Sequence, residues 1–275
     1  MHAAADPALI ALMSVLLLVI GGLAGVIAGL LGVGGGIVLV PAFFYGFTIL
    51  GFAGPQLMQV CLATSLATIV VTSARSARAH NAKGAVDWAI IRGWSPGIVI
   101  GALIGVAVAA ALRSDVLVAV FGVLALVVGL WLAFGRESLR IGPAMPGGAT
   151  RAVLSPVLGF LSVLMGIGGG SFGVPLMTLY GVPIHRAVGT ASLFGMAIAV
   201  PSVVGFLIVP VADAPPFTLG AINLPALLLV VAATWVTTPY GARLAHRTDA
   251  RRLRRVFAAF LIVVALNMLR KAAGW

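Results

Sequence analysis

The chain has 275 residues, 61% of them hydrophobic and 8% charged, with a mean hydropathy of +1.19. A soluble domain carries roughly a quarter charged residues, so a soluble globular protein is excluded. The formal charge of +11 would suggest a nucleic-acid partner in a soluble chain, but here Lys and Arg flank apolar segments and read as topology signals and anionic-lipid contacts. No nucleic acid is expected. The single cysteine, Cys61, rules out a disulfide within the chain and a Cys-based metal site, and no cofactor is expected.

Between Asp6 and Arg75 lie 68 residues without one Asp, Glu, Lys or Arg. A membrane-spanning helix needs about 20 apolar residues, so three or more membrane segments fit there. The runs are unbroken and lack the ten-residue alternation of an outer-membrane barrel, which predicts helices. The N-terminal run has no basic flank and is long for a signal-peptide core, so it reads as a retained first helix.

Breaks at charges, prolines and glycine clusters predict segments at Ala8–Leu31, Ile37–Leu50, Leu57–Ala74, Trp88–Leu112 and Val116–Phe134. A polar linker, Gly135–Thr150, follows. The next five are Ala152–Ile167, Ser171–Val182, Ala187–Val209, Ala221–Ala242 and Val256–Leu269. The expected organisation is a first membrane repeat over 1–134, a cytoplasmic linker over 135–150 and a second membrane repeat over 151–275. The sequence supports that division directly. GLLGVGGGIVLVP (Gly29–Pro41) and VLMGIGGGSFGVP (Val163–Pro175) agree at seven of thirteen positions, where chance gives about one. ATSLAT (Ala63–Thr68) and TASLFG (Thr190–Gly195) follow in the same order, which indicates an internal duplication.

Fourteen of the 17 basic residues cluster around the third-to-fourth connection, the linker, the start of the eighth segment and the Arg243–Arg255 stretch. The positive-inside rule makes these cytoplasmic. The third segment then runs inward and the eighth outward, so the halves are inverted relative to each other, an architecture of many secondary transporters. Closure of this count puts both termini on the non-cytoplasmic side. It also requires the first two segments of each half to leave and return on one side. The second of each pair is too short to span, which predicts a broken or re-entrant hairpin with a glycine-rich tip, buried in protein or facing a water-filled cavity.

The tips are Gly34, Gly35 and Gly36 in one half and Gly168, Gly169 and Gly170 in the other. Successive glycines can turn several N–H groups toward one point, and a half-helix starting there adds its positive dipole end. That is an anion site without a charged side chain. A helix end contributes about 0.3 to 2 kcal/mol, whereas a charge at the bilayer centre costs at least about 2.5 to 3.5 kcal/mol. Hydroxyls must therefore help, and Thr64, Ser65, Ser171, Thr190 and Ser192 are the candidates. The alternatives are close helix packing for the glycines, as for the four-spaced Gly21, Gly25 and Gly29 and for Gly101 and Gly105, and bonding back to their own helix for the hydroxyls.

Other signals are weaker. Gly168, Gly170 and Gly173 spell GxGxxG, but no strand precedes them and no acid follows about 20 residues later. The four histidines have no metal-ligand spacing; His185 beside Arg186 reads first as ordinary interface anchoring, with attraction of an anion at the inner mouth as the alternative. Trp88, Trp94 and Trp235 suit the aromatic belt, and Asn267 suits interhelical hydrogen bonding. All six acids fall in tails, connections or span ends, so no embedded carboxylate is expected to relay protons or hold a cation. An uncoupled anion is then driven outward by a negative interior, with about 2.3 kcal/mol per charge per 100 mV.

GLLGVGGGIVLVP, the ATSL stretch and SARAHNAKGAVDWAIIRG, together with GIGGGSFGVPLM, GTASL and the terminal YGARLAHRTDARRLRRVFAAFLI, resemble the TauE/SafE sulfite exporter family over nearly the whole chain. The resemblance implies a multispan transporter of sulfite or organosulfonate-like anions in a bacterial inner membrane. Departures occur where the second half reads GTASL and where Ala63 replaces a usual glycine. The expected fold is thus an all-α polytopic membrane protein of two inverted-topology repeats, and the expected activity is export of a small anionic substrate by alternating access at the repeat interface. An anion channel and a non-transporting membrane scaffold or assembly factor are the alternatives. An intramembrane enzyme is not expected, since no nucleophile–base pair or paired acids lie in the membrane.

Overall fold

A computed structural model describes residues 7–31, 36–135, 140–245 and 250–274. The described residues form ten helices: α1 (Pro7–Leu31), α2 (Gly36–Ile49), α3 (Leu57–Ala82), α4 (Trp88–Ala111), α5 (Ser114–Phe134), α6 (Gly148–Leu164), α7 (Gly170–Leu179), α8 (Ile184–Leu207), α9 (Leu224–Ala245) and α10 (Ala250–Ala272). Two antiparallel two-residue strands, β1 (Thr218–Leu219) and β2 (Ile222–Asn223), precede α9. Helices α3, α4, α5, α8 and α9 are long and apolar enough to cross a bilayer. The chain is an all-α polytopic membrane protein.

The short second segments are real half-helices in length. Helix α7 has 10 residues, about 15 Å at 1.5 Å per residue, against a hydrocarbon core about 30 Å thick. Helix α2 has 14 and is buried along nearly all its length. Each carries a proline, Pro41 or Pro175, at the same distance from its glycine tip.

The halves do not pack as separate bundles. Helix α1 lies along α9 and α6 lies along α4, so the first helix of each half packs on the fourth helix of the other; α5 pairs with α10 and α3 with α8. One hydrophobic core runs through all of them. Small residues permit the close approaches. A Cβ at Gly21 would meet Val230 and Ala233, and one at Gly25 would collide with Thr237. A Cβ at Gly101 would collide with the Pro156 carbonyl, and one at Gly105 would press on Val163. The four-residue glycine spacing therefore marks interhelical seams, as in small-xxx-small packing.

Helices α3 and α8 run antiparallel through the centre. A Cβ at Gly195 would strike Ser73, one at Gly189 would press on His80, and at the far end the Gln56 side-chain oxygen accepts the Ala212 N–H at 2.8 Å. From Leu57 to Ile69, every residue of α3 is buried.

Several sequence expectations change: α6 begins at Gly148, inside the expected linker Gly135–Thr150, and α10 begins at Ala250, six residues before the expected Val256. Helix α3 continues two turns beyond Ala74 to Ala82, because Arg75, Arg78 and their Ser, Ala and His neighbours are tolerated in a helix that has left the hydrocarbon. Helix α9 starts at Leu224, three residues after the expected Ala221, because Ile222 and Asn223 are used by the β-turn. Trp94 is 2% exposed and is a core residue, whereas Trp88 and Trp235 are exposed, Trp235 lying under the Arg75 guanidinium at 3.8 Å. The indole of Trp94 sits on the inward stripe of α4 with Ile98 and Ala102. Asn267 does bridge helices, accepting the Tyr45 hydroxyl at 3.1 Å.

Replacing Gly101 with Val forces α4 away from α6 and is expected to cost at least 1 to 3 kcal/mol, the usual range for overpacking. Thermal unfolding in detergent measures it, with Gly147→Ala, at a site with open space around it, as the control that leaves the midpoint unchanged.

Candidate functional site

The second glycine tip is held open by a helix terminus. Helix α6 stops because Gly166 adopts a left-handed φ of +58, which lets the Gly166 N–H reach the Val163 carbonyl and the Ile167 N–H reach the Ser162 carbonyl, both at 2.9 Å. This is the Schellman pattern, in which glycine is favoured. The Gly166 carbonyl left over accepts the Ser65 hydroxyl of α3 at 2.7 Å. Helix α7 then starts at Gly170, and its first intrahelical bond runs from the Gly173 N–H to the Gly169 carbonyl at 2.8 Å. The preceding N–H groups are those a helix start leaves without an intrahelical acceptor.

Beside this helix start lies a cavity of about 50 Å³ lined by Ile69, Thr72, Ser73 and Ser76 of α3, by Gly168, Gly169 and Gly170, and by Val188, Ala191 and Ser192 of α8. At about 10 to 15 Å³ per water, it has room for roughly four waters or one compact oxyanion. Its lining holds four hydroxyls and no charged side chain. Tight packing sets its wall: a Cβ on Gly169 would collide with Phe194, and one on Gly168 would press on Ile69. The cavity lies toward the end of α3 and the start of α8, the end that carries Arg75, Arg78, His185 and Arg186.

The sequence-derived candidates fall into different environments. Gly168, Gly169, Gly170 and Ser192 line the cavity; Ser192 donates to the Gly189 carbonyl of its own helix at 2.6 Å. Ser171 is buried, and its hydroxyl has no hydrogen-bond partner. Ser65 holds the second tip, as described. Thr64 and Thr190 are fully buried and bond across the half boundary: Thr64 Oγ1 accepts the Asn223 N–H at 3.0 Å, and Thr190 Oγ1 accepts the Asp87 N–H at 2.9 Å. Gly36 is buried with no room for a Cβ against Gly166, Ile167 and Ile69, so the first motif packs on the second. Gly34 and Gly35 lie outside the described residues.

Sequence reasoning missed Thr72, Ser73 and Ser76. Thr68, Thr72 and Ser76 recur every four residues on one helix face, a signal whose last member was cut off when the third segment was ended at Ala74. It also missed Asp87 and Asn223, although KGAVD and LGAIN (Lys83–Asp87 and Leu219–Asn223) repeat each other. Both glycines are left-handed, Gly84 at +64 and Gly220 at +57. Both terminal residues cap the next helix: Asp87 accepts the Ala89 and Ile90 N–H groups at 3.1 and 3.2 Å, and Asn223 accepts the Ala226 N–H at 3.0 Å. The two caps differ in their further partners. Asp87 pairs with Arg186 at 3.5 Å, while Asn223 donates to the Pro216 carbonyl and to Thr218, both at 3.0 Å.

The fold that encloses this cavity includes five helices long and apolar enough to span a bilayer, a polytopic membrane fold, and comparison with known proteins gives its class, a membrane transporter. Residues 17–268 match the family described as Sulfite exporter TauE/SafE. A probable membrane transporter protein of Haemophilus influenzae is 32% identical over 258 residues, covering 93% of this chain and 98% of the relative. Probable membrane transporter proteins of Bacillus subtilis and Methanocaldococcus jannaschii are 26% and 24% identical, each covering more than nine-tenths of both chains. No solved structure matches the chain. The chain belongs to the TauE/SafE sulfite exporter family.

Thr190→Val removes the acceptor for the Asp87 N–H while keeping the side-chain volume. Its expected cost is about 1 to 3 kcal/mol, the penalty for a buried donor left unpaired, and Thr190→Ser is expected to recover most of it. Thermal midpoints of the three proteins in detergent check this.

Proposed function

We propose that the protein exports a small organic or inorganic anion, sulfite or an organosulfonate-like ion, by alternating access at the interface of two inverted repeats. The repeats are 1–134 and 151–275, joined by a cytoplasmic linker at 135–150, in the cell inner membrane with both termini on the non-cytoplasmic side. The observation that carries this reading is the uncharged cavity in which the start of α7 meets hydroxyls from α3 and α8. Cationic substrates find no carboxylate there, and an anion finds four hydroxyls able to donate.

The energetics favour a hydroxyl-assisted site. A hydrogen bond to a charged group contributes about 1.5 to 3 kcal/mol, so two hydroxyls plus the helix end offset the minimum cost of about 2.5 to 3.5 kcal/mol for a charge at mid-bilayer. Thr72 donates to the Thr68 carbonyl at 3.1 Å and Ser192 to the Gly189 carbonyl. Rotation about χ1 exchanges each of those carbonyls for an anion. Ser73 and Ser76 complete the wall. Thr64, Ser65, Thr190 and the Gly36 contact hold the tip and the helices around it, and Ser171 stands at the first turn of α7 behind the glycines.

The described acids, Asp87, Asp115 and Asp213, lie at helix starts or in a loop. The driving force on an anion is then the membrane potential itself, directed outward in a cell with a negative interior.

Ser76→Ala and Ser192→Ala each remove one donor from the cavity. Each is expected to slow sulfite flux in proteoliposomes about tenfold or more, the equivalent of about 1.4 kcal/mol, with an unchanged thermal midpoint. Wild-type flux in both would contradict the site.

A further inference from the structure

The two halves are matched by more than sequence. Thr64 bonds the cap residue of α9 and Thr190 bonds the cap residue of α4, so the structure equates Thr64 with Thr190 and Asp87 with Asn223. This removes the ambiguity of the ATSL and TASL motifs, because it aligns the threonines and not the serines. The correspondence then relates Ser192 to Leu66, Ala191 to Ser65, and Ser76 to Ser202.

Applied to the cavity, this correspondence has a definite result. Ser76 of α3 and Ser192 of α8 both line the open cavity; their counterparts are Ser202 of α8 and Leu66 of α3. The antiparallel register seen at Ser73 with Gly195 and at His80 with Gly189, carried along the helices, sets Ser202 opposite Leu66, and Ser65, the counterpart of the cavity-lining Ala191, precedes Leu66 on α3. All three are fully buried, at 0% exposure. The hydroxyls there are turned onto carbonyls, Ser65 onto Gly166 and Ser202 onto Ile198 at 2.7 Å each. The same wall thus exists twice, once open toward the Arg75 and Arg186 end and once closed toward the end that carries Gln56.

We infer that Ser65, Leu66 and Ser202 wall a second chamber, the mirror of the open cavity, which opens to the opposite membrane face and receives the same small anion when the first is closed. The ligand class rests on the proposed function; the location rests on the correspondence alone. The two chambers differ in polarity. The open one has four hydroxyls and the closed one keeps Ser65 and Ser202, with Leu66, Ile198 and Ala199 in the places of Ser192, Thr72 and Ser73. An anion is therefore held less tightly on the far side, which favours release there.

The test is the side from which a thiol becomes accessible. In a Cys61→Ala background, Ser76→Cys, Ser202→Cys and Ser65→Cys are reconstituted in oriented vesicles and exposed, without sulfite, to a membrane-impermeant maleimide applied to one face at a time. Only variants with the parent's thermal midpoint are scored. Ser76→Cys is expected to react from the Arg75 face, and Ser202→Cys and Ser65→Cys at least tenfold faster from the opposite face than from the Arg75 face. Folded Ser202→Cys and Ser65→Cys proteins that react only from the Arg75 face, or from neither, overturn the second chamber. Sulfite flux through the same vesicles is read separately. Labelling from the far face without flux leaves the chamber standing and removes the anion assignment, and flux without that labelling does the reverse.

Discussion

A broken helix inside a bilayer has no water to receive the N–H and C=O groups it frees, and this chain buries such a break between α6 and α7, at its second glycine motif. At this break, the Schellman turn at Gly166 satisfies the end of α6, and the Ser65 hydroxyl takes the carbonyl that remains. Gly168, Gly169 and Gly170, which lead into α7, line the cavity instead. The same constraint explains why α3 and α8, which enclose the break, are central and why α3 is buried through its first half.

Interleaving the halves is the means by which the break stays buried. With α1 on α9 and α6 on α4, each half supplies an outer support for the other, and glycines at Gly21, Gly25, Gly101 and Gly105 allow backbones to approach without side-chain interference. In lipid, this packing is favourable through dispersion and close contact, since apolar burial alone gains little there. The two threonine-to-cap hydrogen bonds then pin the start of each half's fourth helix to the other half. They stand at opposite ends of the α3–α8 pair, so loosening one does not require loosening the other. The partners differ in kind: Asp87 has an ion pair with a half-exposed arginine, while Asn223 is wholly buried among neutral groups. The end with the ion pair is also the end where the cavity lies.

Much of this was legible in the sequence because the bilayer imposes long, contiguous signals. Apolar runs bounded by Arg and Lys located the helices, and α4 and α8 were placed within a few residues. The glycine motifs marked close packing: a Cβ at Gly36 would meet Gly166 and Ile69, and one at Gly169 would meet Phe194 and Ala191. Side-chain roles were less legible. A buried threonine such as Thr64 has the same sequence signature whether it bonds a ligand or a backbone N–H, and only the position of Asn223, far along the chain, decides. Ser76 was hidden by Arg75, whose charge marked the edge of the hydrocarbon but not the end of the helix, whereas Thr72 and Ser73 lay inside the expected segment with nothing to set them apart from other helix hydroxyls. Trp94 reads as interfacial by type and by its place near Arg92, yet α4 is rotated so that its indole faces the core.

The central claim is that the uncharged cavity beside Gly168–Gly170 binds a small anion. Thermal stability of the purified protein in detergent, measured with sulfite, thiosulfate, sulfate, sulfoacetate and chloride, tests it most directly. An anion at 100 times its dissociation constant adds about 2.7 kcal/mol to the folded state. A rise in midpoint with an oxidised-sulfur anion, absent in the Ser76→Ala, Ser192→Ala double variant, is the predicted result; stabilisation that survives in the double variant, or none with any of the five anions, would contradict it.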